Sequence, residues 1–208
     1  MTPRSTERQI IDGPAGALEV VVNAPPASPV GIALVAHPLP TDGGTLDNKV
    51  VYTLAKTFFA LGYVAVRFNF RGVGASVGTF DQGNGETDDA LATLTYARAR
   101  YGDQLPIALA GFSFGTFVQT RVAHHVPAQR LVLIAPAVNR FAVERVPHDT
   151  IVVHGDVDDV VPLADVLAWA RPQSLPVIVF TNCGHFFHGR LPDLQRVVTA
   201  QWRDGVKD

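Results

Sequence analysis

Cysteine and methionine each occur once in this chain, charged residues make up 17% of it, and no apolar run is long enough to cross a bilayer. The single cysteine rules out an internal disulfide and suits a reducing compartment. A formal net charge of −2, with no basic stretch, argues against nucleic acid or an anionic membrane as a partner. The opening residues, Met1 to Arg8, are polar and lack the apolar centre of a secretory signal, so a cytoplasmic location is expected. Internal repeats and low-complexity segments are missing too. Apolar content, by contrast, is ample: 47% of the 208 residues are hydrophobic. That suffices for one sizeable core and is short for two, so residues 1–208 read as a single domain.

The apolar residues fall into short runs that alternate with helical stripes. Residues 8–12 and 17–23 read as two strands around the turn Gly13-Pro14-Ala15-Gly16. Val30 to Ala36 is nearly all apolar, the pattern of a strand covered on both faces. The stretch 47–61 reads as helix, with Val50, Val51, Leu54, Ala55, Phe58 and Phe59 on one stripe and Gly62 as its stop. Further strands are predicted over 63–70, 106–110, 130–135, 150–154 and 176–181, and helices over 86–101, 116–124, 163–170 and 190–203. Such alternation predicts an α/β fold, a mostly parallel sheet with helices on both faces. Chemistry in sheets of this class lies beyond the carboxyl ends of the strands. The polar, glycine-rich loops 37–44, 71–85, 111–115, 155–161 and 182–188 all fall at those ends.

One of these loops, Gly111-Phe112-Ser113-Phe114-Gly115, joins a predicted strand to a predicted helix. Gly-x-Ser-x-Gly in that setting is a nucleophile elbow, with the serine on a strained turn and its neighbours lacking side chains so that the helix can pack close behind. The bare pentapeptide also suits a glycine-bounded turn with an idle serine, so other residues must decide. A reactive serine needs a base, an acid to orient that base, and donors for an oxyanion. His185 and His188 follow the last strand, and His185, nearer the strand end, is the candidate base. His188 reads as a loop or capping residue. No HExxH pattern or carboxylate partner supports a metal between the two.

Asp156, Asp158 and Asp159 follow strand 150–154 and lie between serine and histidine in chain order, as a Ser-acid-His sequence requires. Spacing does not choose among them, and Glu144, one strand earlier, is a weaker alternative. For the oxyanion, the backbone N–H of Phe114 follows the serine directly. A second donor should come from the loop after strand 30–36, where Pro38 and Pro40 have no N–H and Leu39 does. The glycines between Gly72 and Gly78 are reminiscent of a dinucleotide loop. That chemistry needs a helix starting at the glycines. Here the predicted helix starts later, so the loop reads as a turn beside the site. Cys183, away from the elbow, reads as a packing residue.

Taken together, Asp47-Asn48-Lys49-Val50-Val51, Arg67 through Ser76, Gly111 through Gly115, His154-Gly155-Asp156-Val157-Asp158 with Val161-Pro162, and His185 through Leu191 resemble the small, lid-less bacterial α/β-hydrolases of the dienelactone-hydrolase and serine-peptidase-like branch. The resemblance covers nearly the whole chain. It implies an α/β-hydrolase fold without a cap domain, in keeping with the short connection 136–149. It places the triad acid at Asp158 and the base at His185, with Ser113 as nucleophile. The relatives usually read His-Pro-His-Pro where this chain has His37-Pro38-Leu39-Pro40, so the second histidine is absent and the entrance more apolar.

Leu39, Phe112, Phe114, Phe186 and Phe187 could supply an acyl surface, although phenylalanines so placed are as often core; Leu39, Phe112 and Phe186 are the substrate-binding candidates. The expected activity is cleavage of a small-molecule carboxylic ester, with no cofactor and no metal. Thioester or amide cleavage, or acyl transfer, would use the same triad. A catalytically silent binding protein is the non-enzyme alternative, against which the completeness of the triad argues. Oligomeric state does not follow from the sequence.

Overall fold

The computed structural model describes residues 5–205. Residues 1–4, part of the polar opening stretch, lie outside the described residues, as do 206–208. The strands are β1 (Ser5–Gly13), β2 (Gly16–Ala24), β3 (Gly31–Ala36), β4 (Tyr63–Phe68), β5 (Ile107–Phe112), β6 (Arg130–Ile134), β7 (Ile151–Gly155) and β8 (Val177–Phe180). The helices are α1 (Lys49–Ala60), α2 (Asn84–Tyr101), α3 (Phe114–Val122), α4 (Leu163–Ala170) and α5 (Leu191–Gly205), with short 3₁₀ turns at Pro40–Asp42 and Arg171–Gln173. One eight-stranded sheet runs β1-β2-β4-β3-β5-β6-β7-β8. The pairs β1–β2 and β2–β4 are antiparallel, and every pairing from β4–β3 through to β8 is parallel. No helix among the described residues is long and apolar enough to cross a membrane.

Side-chain alternation divides the core into two layers. From β3, Ile32 and Leu34 face one layer with Leu94, Val118 and Val122 of α2 and α3. Ala33 and Val35 face the other, with Leu54 and Phe58 of α1 and Leu194, Val198 and Trp202 of α5. All six β3 residues are buried, which is why the run has no polar position. Beneath α4 lies a smaller cluster of Val152, Val161 and Val166.

The sequence boundaries shift for local reasons. The predicted strand over 63–70 ends at Phe68, because the Asn69 carboxamide turns away to accept the Leu46 N–H and donate to Glu19, and the Phe70 N–H goes to His37. Helix α2 starts at Asn84 rather than at 86, its first turn closed by the Glu86 carboxylate on the Gly83 and Asp81 N–H groups. Those two N–H groups are thereby taken up by the helix's own side chain. The 71–78 loop folds back on β2, where Glu19 accepts the Ala75 N–H and Ala17 accepts the Val77 N–H. None of its residues lines the cavity described below.

Phe58 is fully buried, edge-on to both Tyr63 and Trp202, and joins α1 to α5 across the sheet end. Truncation to alanine should cost about 3–5 kcal/mol, from lost transfer energy plus an unfilled cavity. Urea denaturation of Phe58→Ala against the wild type measures this; a loss below about 1 kcal/mol would refute the two-layer account of the core.

Candidate active site

Ser113 sits at φ 54° and ψ −120°, a conformation that non-glycine residues adopt only under strain. The strain is held by a short bond network. The Ser113 N–H donates to the Ile134 carbonyl at 2.9 Å, while the Ser113 carbonyl accepts from the Thr116 N–H at 2.9 Å and the Thr116 hydroxyl at 2.6 Å. The flanking glycines are steric requirements. A Cβ at Gly111 would run into the Gly115 carbonyl oxygen, and one at Gly115 into the Ala36 carbonyl at the end of β3. Helix α3 begins at Phe114 rather than at the predicted 116, because the turn consumes a single residue.

The structure brings His185 and Asp158 together from separate loops. His185 Nδ1 lies 2.7 Å from Asp158 Oδ2, and both side chains are buried. The other carboxylate oxygen accepts the N–H groups of Val160 and Val161, at 2.9 and 2.8 Å. Burial pushes the Asp158 carboxyl upward, but the hydrogen bonds from His185 and the Val161 N–H outweigh it and hold the group below its ordinary value. Asp156 instead accepts the Cys183 N–H at 3.3 Å, Asp159 is exposed, and Glu144 pairs with His124 at the surface. Cys183 is buried in the α1–α5 layer, as a packing residue should be.

Ser113 and His185 line one cavity of about 130 Å³, together with Leu39, Gly43, Arg140, Val160 and Phe186 among others. Among the described residues the hydroxyl and the imidazole are not hydrogen-bonded to each other, a contact that is commonly loose before substrate binds. Neither the Leu39 nor the Phe114 N–H donates to any protein acceptor among the described residues. Of the apolar candidates, Leu39 and Phe186 line the cavity. Phe112 does not: it is fully buried behind the imidazole, 4.9 Å between ring centroids, because strand alternation turns it into the α1–α5 layer. Phe114 is core, clustered with Phe70, Phe80, Phe117 and Phe141. Phe187 is core as well, against Phe180. His188 is exposed near Phe186.

The sequence reading gave no role to three residues at or near the site. The Arg140 guanidinium meets Asp42 at 2.8 Å across the cavity mouth, a pair 98 positions apart with no sequence signal. His154 lies under the loop that bears Asp158; it opens the His154-to-Asp158 motif of the resemblance, which gave it no role of its own. His37, fully buried, bridges two loops: its Nδ1 lies 2.6 Å from the Pro38 carbonyl and its Nε2 accepts the Phe70 N–H at 3.0 Å. That pattern fixes the neutral tautomer with the proton on Nδ1.

Fold and site together define an α/β serine hydrolase without a cap. The chain belongs to the family described as X-Pro dipeptidyl-peptidase (S15 family), which it matches over residues 12–145, a span that holds Ser113 and ends before Asp158 and His185. It is similar to an α/β serine hydrolase without lid from Xanthomonas campestris, 37% identical, with a TM-score of 0.92 over 100% of this chain and 98% of that one. An uncharacterized protein of Rickettsia prowazekii is 34% identical over 210 residues, covering 90% of this chain and 84% of that protein. Lysophosphatidylserine lipase ABHD12 of Macaca fascicularis is 38% identical over 104 residues, which is 48% of this chain and 25% of the lipase.

Burial pushes the His37 imidazole down to about 4, against the opposing hydrogen bond to Pro38. The unfolded chain, with an ordinary histidine near 6.5, therefore takes up this proton first. Stability is complete above pH 6.5 and falls as pH drops toward about 4, by up to ~3 kcal/mol from this group. His37→Gln, which cannot ionise, should show a shallower loss of unfolding free energy over that interval in urea titrations. An unchanged slope would show that His37 is not the buried neutral group described.

Proposed function

We propose that the chain is a carboxylesterase-like serine hydrolase acting on small esters, with all of residues 1–208 as its one catalytic domain. The observation that carries this reading is the 2.7 Å contact between His185 Nδ1 and Asp158 Oδ2 in a cavity shared with Ser113. Ser113 Oγ attacks the ester carbonyl as His185 Nε2 takes its proton, and the Nδ1–H remains on Asp158, which stabilises the imidazolium. The tetrahedral oxyanion is received by the Leu39 and Phe114 N–H groups, each worth about 3 kcal/mol of barrier. His185 returns the proton to the leaving alcohol, the acyl group stays on Ser113, and water activated by His185 releases the acid. No cofactor takes part, and the substrate is a small molecule met in the cytoplasm.

Cavity size supports small acyl groups. At ~30 Å³ for each water-sized group, 130 Å³ holds roughly four. A second groove of about 260 Å³ shares Gly43, Asn48 and Phe186 with the cavity, and would take the larger remainder of the ester. The lysophosphatidylserine lipase among the relatives is by name an ester-cleaving enzyme, in keeping with this reading. A dipeptidyl-peptidase activity, the other reading that the family's description offers, calls for a free carboxylate to hold a peptide's terminal ammonium. Among the described lining residues the one carboxylate is Asp42, already paired with Arg140.

Three experiments test the reading. Fluorophosphonate should label Ser113 alone. On an activated acetate ester, Asp158→Asn should lose about 10⁴-fold in kcat while Asp156→Asn and Asp159→Asn stay near wild type; equal losses in all three would remove Asp158 from its role. In a nitrophenyl ester series, kcat/KM should be highest from acetate to butyrate and at least about tenfold lower for octanoate, since one misfitting methylene costs that much. A preference for octanoate would contradict the small-acyl assignment.

A further inference from the structure

The scheme above gives His154 no part, yet this histidine is fully buried beneath the acid-bearing loop. Its Nε2 lies 2.8 Å from the Val161 carbonyl oxygen, so that nitrogen carries the proton and donates it. Its Nδ1 is buried with no partner among the described residues, which leaves a bare lone pair and a neutral ring. Burial lowers its proton affinity, against the opposing pull of the Val161 carbonyl and Asp158. The same Nε2 is 3.5 Å from Asp158 Oδ2, the oxygen that receives the His185 Nδ1–H. Val161 is thereby held from three sides. Its N–H is bound by Asp158 Oδ1, its carbonyl by His154, and its side chain by Val152 and Val166.

We infer that His154 is a positioning residue for Asp158, acting through Val161; this rests on the Ser113–His185–Asp158 reading. The imidazole reaches from β7 across the base of the loop and fixes the Val161 carbonyl, at the end of the segment whose Val160 and Val161 N–H groups bind the carboxylate. A neutral donor is required there. An imidazolium at 3.5 Å would share the charge of Asp158 and raise the energy of a protonated His185. The charged or titratable groups that act on His154 are Asp158 and His185. Val179, opposite it on β8, and the valine cluster under α4 carry no charge, and Asp165 of α4 is exposed.

The test compares His154→Gln, which keeps a neutral donor, with His154→Leu, which does not, using rates per active site counted by fluorophosphonate labelling. His154→Gln should stay within about threefold of wild type. His154→Leu should lose about tenfold to a hundredfold in kcat with KM unchanged, as expected for a small misplacement of a catalytic group. Its acid limb in the kcat/KM profile should move to lower pH, because a displaced carboxylate no longer supports the His185 imidazolium. Equal losses in both variants, or an unmoved profile in His154→Leu, would overturn the inference. Should His154→Leu fail to fold, ¹⁵N NMR of the wild type decides: His154 must stay neutral and protonated on Nε2 throughout the acid limb of the activity profile, and its protonation there would overturn the inference. Absence of labelling at Ser113 in the wild type would instead overturn the triad reading, and this inference with it.

Discussion

The close approach of α3 to the carboxyl end of β3 governs the rest of the site. Gly115 leaves no room for a Cβ against the Ala36 carbonyl, and Gly111 leaves none against Gly115 itself. Because helix and strand meet without intervening side chains, the turn between β5 and α3 shrinks to one residue, and that residue is forced into a positive φ. Strands β3 and β5 are direct neighbours in the sheet, so the loop following β3 comes alongside Ser113. The free N–H groups of Leu39 and Phe114 are both consequences of this geometry: one belongs to the loop that the helix presses against, the other to the first residue of the helix.

The polar groups around the cavity are satisfied by backbone more than by one another. Asp158 takes two peptide N–H groups, His37 bridges a carbonyl and an N–H, and His154 binds a carbonyl. In a low-dielectric interior such bonds cost nothing further to organise when charge develops on a substrate. The one ion pair at the mouth, Arg140 with Asp42, is half-exposed and belongs to the weak class of surface pairs.

Much of the fold was legible because the central strands β3 and β5 are buried at every position and so carry an unbroken apolar run. Helix α4 fell on its predicted residues, 163–170, and the short 136–149 connection holds no helix, in keeping with a fold without a cap. Ser113 and His185 were named as candidates from loop position and chain order, and the structure places both on one cavity. No single acid could be named that way: Asp156, Asp158 and Asp159 have equal claims by spacing, and only the family pattern singled one out. What distinguishes Asp158 in three dimensions is a turn that folds its carboxylate back on the Val160 and Val161 N–H groups, a conformational fact with no compositional trace. Phe112 was misread for a related reason. Proximity to the nucleophile in sequence suggests the cavity, but a strand puts adjacent side chains on opposite faces. The Gly72–Gly78 loop belongs to β2 rather than to the site because Glu19, on a strand far away in sequence, captures it.

Strand β8 has four residues, pairs with β7 alone, and leaves Val179 exposed at the rim of the sheet. The loop bearing His185 hangs from it, whereas Ser113 stands at the end of a central strand. Rim strands fray at a smaller free-energy cost than interior ones. A modest thermal opening of this border therefore detaches the imidazole while the middle of the sheet stays intact. On the proposed function, heat inactivation would then precede melting of the bulk, and amide exchange would see it first in residues 177–180.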